Sequence, residues 1–198
     1  MPFVRLEPLA GTHTPHVARL VTDPDVLQFT RVPDPPPADF PSRWVATYED
    51  GRRDGSREGF AVLDGAGRFV GLALAPDVDR AAREAELGYI VTPEARGRGF
   101  ASEMLKRITR WAFDEAQIIR AFLIINVDNH ASLRVADRCG YVREGVLRSI
   151  HLKDGLRVDA ALYSRLRTDA EPAVGGGASP RSPRACGGWP PRSAPAAP

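Results

Sequence analysis

Cysteine is scarce in this sequence: only Cys139 and Cys186 occur among 198 residues. Two cysteines build neither a disulfide framework nor the ligand spacing of a zinc site, so a reducing cytoplasm is the expected compartment. Long apolar runs are missing too. No stretch approaches the roughly 18 residues that a membrane-spanning helix needs, and the start, MPFVRLEPLA, lacks the apolar core of a secretory signal. A basic surplus is the third absence. The net charge of +2 is accounted for by the last 28 residues, where Arg181, Arg184 and Arg192 oppose Glu171, leaving 24 basic and 24 acidic residues elsewhere. A neutral body speaks against a nucleic-acid-binding face. The four histidines and two cysteines offer no believable metal spacing, so no metal is expected.

What is present suits one globular domain with a tail: 43% of residues are hydrophobic and 26% charged. The tail, 171–198, carries seven prolines and five glycines in 28 residues. It cannot bury enough apolar surface to offset its ordering entropy, so it is expected to be disordered, with the domain in 1–170. Along the body the apolar period alternates between two and 3.6. FVRLEPL reads as a strand, and helical segments follow near 14–21 and 39–49. Phe40, Trp44 and Tyr48 give the second of these a stripe that reads as core. The prolines of RVPDPPPADF mark a stiff loop between them. GFAVLDGAGRFVGLALA reads as a hairpin, the charged stretch 77–84 as a loop, and Glu86–Val91 as the next strand. Residues 99–115 give the clearest helix: Ala101, Met104, Leu105, Ile108, Trp111 and Ala112 share one face. AFLIINV is a buried strand. NHASLRVADRCG is a short helix with Asn129 as N-cap and Gly140 as its stop. Two strands around an Asp154-Gly155 turn complete the body. The expected fold is α/β, with about seven strands and about four helices.

The chemistry concentrates in ELGYIVTPEARGRGFA. A strand ends in a Thr-Pro turn, then two arginines alternate with two glycines before a helix. A Walker A loop would need Lys-Ser/Thr after its second glycine, and GRGFAS has none. A dinucleotide fingerprint would need Gly or Ala where Ser102 stands, and an acid about 20 residues on. A third reading fits: the amides from Arg96 to Ala101 converge at the N-terminus of the 99–115 helix and make an anion site. Gly97 and Gly99 let the backbone come close. Arg96 and Arg98 add charge suited to a pyrophosphate. The plain alternative is a strand-to-helix turn with solvated arginines.

The stretch RGRGFA resembles the acetyl-CoA loop of the GNAT superfamily of N-acetyltransferases. ELGYIV resembles the strand before that loop. NVDNHASLRVADRCGYVREGVLR resembles the branch that acetylates protein N-termini, including ribosomal proteins, and its small-molecule relatives. The similarity is close over residues 84–166 and extends to 3–75 by element order. It implies a mixed, mostly antiparallel sheet that splays between the strands at 86–91 and 121–127 to admit the pantetheine arm of acetyl-CoA. It further implies that backbone groups of Ile90 and Val91 pair with that arm. Arg96, Gly97, Arg98, Gly99, Ala101 and Ser102 would hold the phosphates, with Asn129 and Ser132 beside the arm and the thioester. Helix capping explains Asn129 and Ser132 equally simply.

Acetyl transfer needs a neutral amine, donors for an oxyanion and a proton for the departing thiolate. It needs no enzyme nucleophile. Glu86, on one strand face with Gly88 and Ile90, is the candidate base; a strand-end salt bridge is the competing reading. Ser132 is the candidate acid or thiolate partner. His13, His16 and His130 lack ligand partners, Cys139 reads as a small buried hydrophobe, and Trp44 and Trp111 read as core. The resemblance thus implies an acetyl-CoA-dependent N-acetyltransferase acting on a protein N-terminus or a small amine, with room for a homodimer. A non-catalytic acyl-CoA sensor of the same fold is the alternative.

Overall fold

The structure is a computed structural model that describes residues 2–153 and 155–171. The expected tail lies, from residue 172 onward, outside the described residues, as does Asp154 of the expected turn. One seven-stranded sheet has the order β1 (Val4–Pro8), β2 (Glu58–Asp64), β3 (Phe69–Asp79), β4 (Glu84–Val91), β5 (Arg120–Asn126), β7 (Leu156–Leu166), β6 (Val142–Lys153). Every neighbouring pair is antiparallel except β4 and β5. That one parallel pair requires a crossover, supplied by α4 (Phe100–Asp114).

Alternation along the central strands divides the core between the two sheet faces. On β2, Phe60 and Val62 point to one apolar cluster and Ala61 to the other; on β3, Ala73 and Ala75 oppose Leu72 and Leu74. The first face is covered by α4, whose Met104, Leu105, Ile108 and Ala112 are fully buried, and by α5 (His130–Arg138). The second is covered by α1 (Thr14–Leu20), α2 (Pro24–Phe29) and α3 (Phe40–Asp54), with Val17, Val26, Val45 and Tyr48 at its centre. Inside the first cluster, Thr109 hydroxyl and Tyr141 hydroxyl satisfy each other at 2.7 Å.

Three expectations need revision. There are five α-helices among the described residues, because α2 sits before the proline loop. Asp23 caps it, accepting the Val26 amide at 3.1 Å, and Pro24 occupies its first turn. A six-residue helix shows too little periodicity to register as one. Helix α3 also continues past residue 49 to Asp54, ending at Gly55 in the left-handed region. Finally, the charged stretch 77–84 is half strand: 77–79 end β3, Glu84 begins β4, and only 80–83 form the turn between them. Beyond an irregularity between Leu74 and Asp77, β3 and β4 resume pairing at Asp77–Glu86, Val78–Ala85 and Asp79–Glu84. Pro76, which has no amide to donate, falls within the irregular segment. Charge there marks a solvated strand end.

Candidate active site

Strands β4 and β5 pair only at Glu84–Arg120, Ala85–Ala121 and Glu86–Phe122. Past Glu86 they separate. The outer edge of β4 stays paired with β3 up to Val91, and that of β5 with β7 through Asn126, so only the facing edges are open. The divergence creates a cleft of about 990 Å³, walled by Gly88, Ile90 and Val91 on one side and by Leu123, Ile125 and Asn126 on the other. Unpaired strand edges bury amides and carbonyls at a cost unless a ligand or water bonds to them.

At the wide end lies the start of α4. Gly97 and Gly99 adopt φ of +72° and +83°, conformations that side chains disfavour. Gly99 is the N-cap and offers no capping side chain. Among the described residues, no protein acceptor meets the amides from Gly97 through Ser102. A run of free donors at the positive end of a 15-residue helix is an anion site. The arginines contribute less than the sequence suggests. Arg96 is turned toward α2, where it pairs with Asp23 and with Asp25, the latter at 2.7 Å. Burial pushes the Asp23 carboxyl up, but bonds from Arg96 and the Val26 amide outweigh this and hold it below the usual carboxylate range. Arg98 is exposed and lies over the Phe100 ring, 5.4 Å from its centroid.

The start of α5 forms the wall opposite. Asn129 caps this helix: its Oδ1 accepts the Ser132 amide at 3.1 Å. Both residues line the cleft. So does Tyr89, which sequence reasoning missed. Its hydroxyl is buried with no hydrogen-bond partner among the described residues, although Ser132 is near enough to interact weakly. Burial pushes its pKa up to about 12, so it is a neutral proton carrier at any working pH. An orphaned buried hydroxyl costs about 1–3 kcal/mol, a cost that a ligand atom in the cleft would relieve. Cys139, the C-cap of this helix, is buried and its thiol is pushed up to about 11, which leaves it inert.

The narrow end, where β4 and β5 still pair, is built from side chains. Glu86 is mostly buried and accepts a 2.8 Å bond from Arg31 on Oε1; Oε2 has no bond among the described residues. Both readings of Glu86 therefore meet in one residue, which lines the cleft and is ion-paired. Arg31 is 58% exposed, and a pair with one partner so solvated is worth about 1 kcal/mol or less, little enough for a ligand to displace. Tyr48 of α3 lies beside this pair, and burial raises its hydroxyl pKa above the ordinary range against the nearby Arg57. Phe40 and Trp44, read from the sequence as core, are half-buried and form the cleft wall above Tyr48. Their rings stack at 5.8 Å, and Trp44 meets Tyr48 edge-on at 5.9 Å. Arg31 and Arg57 escaped the sequence analysis, and Tyr48 was legible there only as part of an apolar stripe. The other minor residues have ordinary roles: His13 accepts the Ala10 amide, His16 stacks on Phe69 at 4.6 Å, and His130 is exposed. Among the described residues, no group of three or more His, Cys, Asp or Glu could hold a metal ion, and no helix is long and apolar enough to cross a membrane.

A sheet split between parallel strands, with an uncapped glycine-rich helix start at the open end, has the shape and donors to take an extended ligand ending in phosphates. The chain belongs to the acetyltransferase (GNAT) domain family, which matches residues 4–142. It is 35% identical over 82 residues to the uncharacterized N-acetyltransferase YoaA of Bacillus subtilis, covering 41% of this chain and 46% of that protein. It is 28% identical over 100 residues to spermidine N(1)-acetyltransferase of Vibrio cholerae, covering 50% and 58%. The chain thus spans about half the length of the curated relatives it matches. Among solved structures, RimL, a ribosomal L7/L12 alpha-N-protein acetyltransferase in complex with coenzyme A, superposes with a TM-score of 0.77 at 20% identity, covering 82% of this chain and 93% of that one. At that identity the likeness shows the fold.

Proposed function

We propose that this domain, residues 1–170, transfers the acetyl group of acetyl-CoA to a primary amine by direct attack on the thioester, and that it works in the cytoplasm. The amine belongs to a protein N-terminus or to a small molecule; the relatives named above include one of each kind. The observation that carries the reading is the run of unpaired amides from Gly97 through Ser102 at the open end of the β4–β5 split.

Acetyl-CoA supplies the activated acyl carbon. The amides of Gly97, Arg98, Gly99, Ala101 and Ser102 bind its pyrophosphate, while Arg96, held by Asp23 and Asp25, fixes the loop beside α2. The open edge at Ile90 and Val91 pairs with the pantetheine amides, and Asn129 orients the arm from α5. These contacts place the thioester near Ser132 and Tyr89, with the amine entering from the Glu86 end. The carboxylate of Glu86 takes the ammonium proton through its uncommitted Oε2, directly or through water, and Ser132 relays to the departing thiolate the second proton, which the nitrogen sheds after attack. The test is release of free CoA thiol when the protein is incubated with acetyl-CoA and pooled amines. Acetylated amine and CoA in equal amounts support the reading. Tight acetyl-CoA binding with no turnover of any amine would make the domain an acyl-CoA sensor.

A further inference from the structure

The charges that line the cleft are unequal. Its acidic lining residues are Asp25, tied to Arg96, and Glu86, tied to Arg31. At the acceptor end this leaves Arg57 in excess. Arg57 is exposed just before β2, lines the cleft and has no ion pair or hydrogen bond from its side chain among the described residues, although the exposed Asp54 interacts with it electrostatically. Its stem packs against Gly51, where an added Cβ would approach the Arg57 Cβ to 2.4 Å, so the side chain emerges from a fixed base. Arg57, Glu86 and Arg31 all act electrostatically on the buried Tyr48 hydroxyl, and Arg31 also acts on His151 across the cleft. Two guanidiniums and one carboxylate of the cleft lining thus act on one buried hydroxyl; the further carboxylate that acts on Arg57, Asp54 at the end of α3, is outside the lining. A polycation entering here would meet one carboxylate, already neutralised, and two arginines that repel it. An amine that also carries a carboxylate would fit. Its ammonium replaces Arg31 on Glu86, and its carboxylate then takes the released Arg31 together with Arg57, in the paired geometry that guanidinium and carboxylate favour.

We infer that the acceptor is an amine bearing a carboxylate, either an amino-acid-like molecule or a peptide with an acidic residue close behind its N-terminus, and that Arg57 with Arg31 selects it against polyamines and basic peptides. The inference rests on the acetyltransferase reading above. The aromatic wall of Phe40 and Trp44 would then cover the apolar part of the acceptor.

The test uses the full chain, acetyl-CoA and four acceptors. Two are short peptides alike except for glutamates or lysines after an N-terminal serine; the others are free glutamate and spermidine. Product is read by CoA release and by mass. The glutamate peptide or free glutamate should exceed its cationic counterpart by about 10- to 100-fold in kcat/KM, the range of one or two charge-assisted hydrogen bonds. Which of the two leads identifies the source of the carboxylate. Arg57→Glu should abolish that preference while leaving acetyl-CoA affinity by calorimetry unchanged; Arg57→Gln serves if the reversal does not fold. Preference for spermidine or the lysine peptide overturns the inference. So does an unchanged ratio in the Arg57 variant, or acetyl-CoA binding without acetylation of either acidic acceptor. Failure to bind acetyl-CoA at all overturns the acetyltransferase reading itself, and this inference falls with it.

Discussion

The two ends of the cleft, about 17 Å apart along β4 from Glu86 to Val91, are made of different material. The loop end is backbone. Its donors are the amides from Gly97 through Ser102, and its two glycines hold conformations that other residues resist. Even its arginine, Arg96, is occupied by α2. The acceptor end is side chain: Arg31 from the proline loop, Tyr48 from α3, Arg57 from just before β2 and Glu86 from β4. A backbone site tolerates almost any side chain provided the glycines remain, so it suits a ligand that never changes. A side-chain site can be rewritten one residue at a time, so it suits the part of the reaction where relatives differ.

Substitutions can break this contrast from either end. The largest effect is expected for Glu86→Gln, which keeps size and removes the proton acceptor. Turnover should fall by roughly 10²–10⁴-fold, the span of general acid–base catalysis. Acetyl-CoA affinity should hardly move, because the acceptor end does not hold the cosubstrate. Raising the pH should recover part of the loss, since more of the acceptor amine is then already neutral. Steady-state kinetics across pH, with calorimetry alongside, separates this from a residue that merely supports the cleft. If affinity collapses too, the two ends are not independent.

Gly99→Val acts at the other end. The space beside Gly99 is open enough for a Cβ, with Pro2 nearest at 3.4 Å, but φ of +83° is strained for a branched residue, and the added methyls stand where phosphates approach. The protein should fold by circular dichroism, and acetyl-CoA affinity should drop by about 100-fold or more, equal to one or two lost charged hydrogen bonds. Unchanged affinity would reduce the loop to a turn.

A smaller effect is expected at the latch between α2 and the loop. Asp23→Asn keeps a capping group for α2 but weakens the pair with Arg96, so melting should fall by an amount equivalent to about 1 kcal/mol. Because the Asp23 carboxyl is held below its ordinary value in the folded chain, its contribution is complete above about pH 4 and is lost as pH falls through the lowered value. The melting difference between variant and parent should therefore shrink in acid; a gap that does not narrow as pH falls below the ordinary carboxylate range would contradict the assignment. The smallest effect is expected from removing residues 172–198. Their composition lacks a core-forming pattern, so melting temperature and acetyl-CoA affinity should both stay unchanged. A large fall in melting temperature would move the domain boundary.

The same contrast explains what the sequence disclosed. Gly97 and Gly99 are local signals: residue type, spacing and the helix they precede lie within a dozen positions, and backbone geometry leaves few substitutes. The strands β2 to β4 followed from alternation, and α4 from its stripe, which buries Met104, Leu105, Ile108 and Ala112 as its period requires; the order of the strands in the sheet did not follow from either. The acceptor end has no such signature. Arg31, Arg57 and Glu86 meet only because the proline loop, α3 and the Pro76 irregularity fold over the same sheet end, and an arginine in a charged sequence carries no mark of what it will face. The stripe Phe40, Trp44, Tyr48 was visible, but periodicity alone cannot separate a core face from a cleft wall. The bonds of Arg96 to Asp23 and Asp25 span more than 70 positions and were equally hidden.

The most direct test of the central claim follows the backbone amides themselves. In a labelled sample titrated with acetyl-CoA, the amide proton resonances of Gly97, Arg98, Gly99, Ala101 and Ser102 should move strongly downfield and saturate together, as free donors acquire phosphate acceptors, while the amide of Arg57 moves little. Saturation with the largest shifts outside the β4–β5 cleft, and with the 97–102 amides unmoved, would contradict the account.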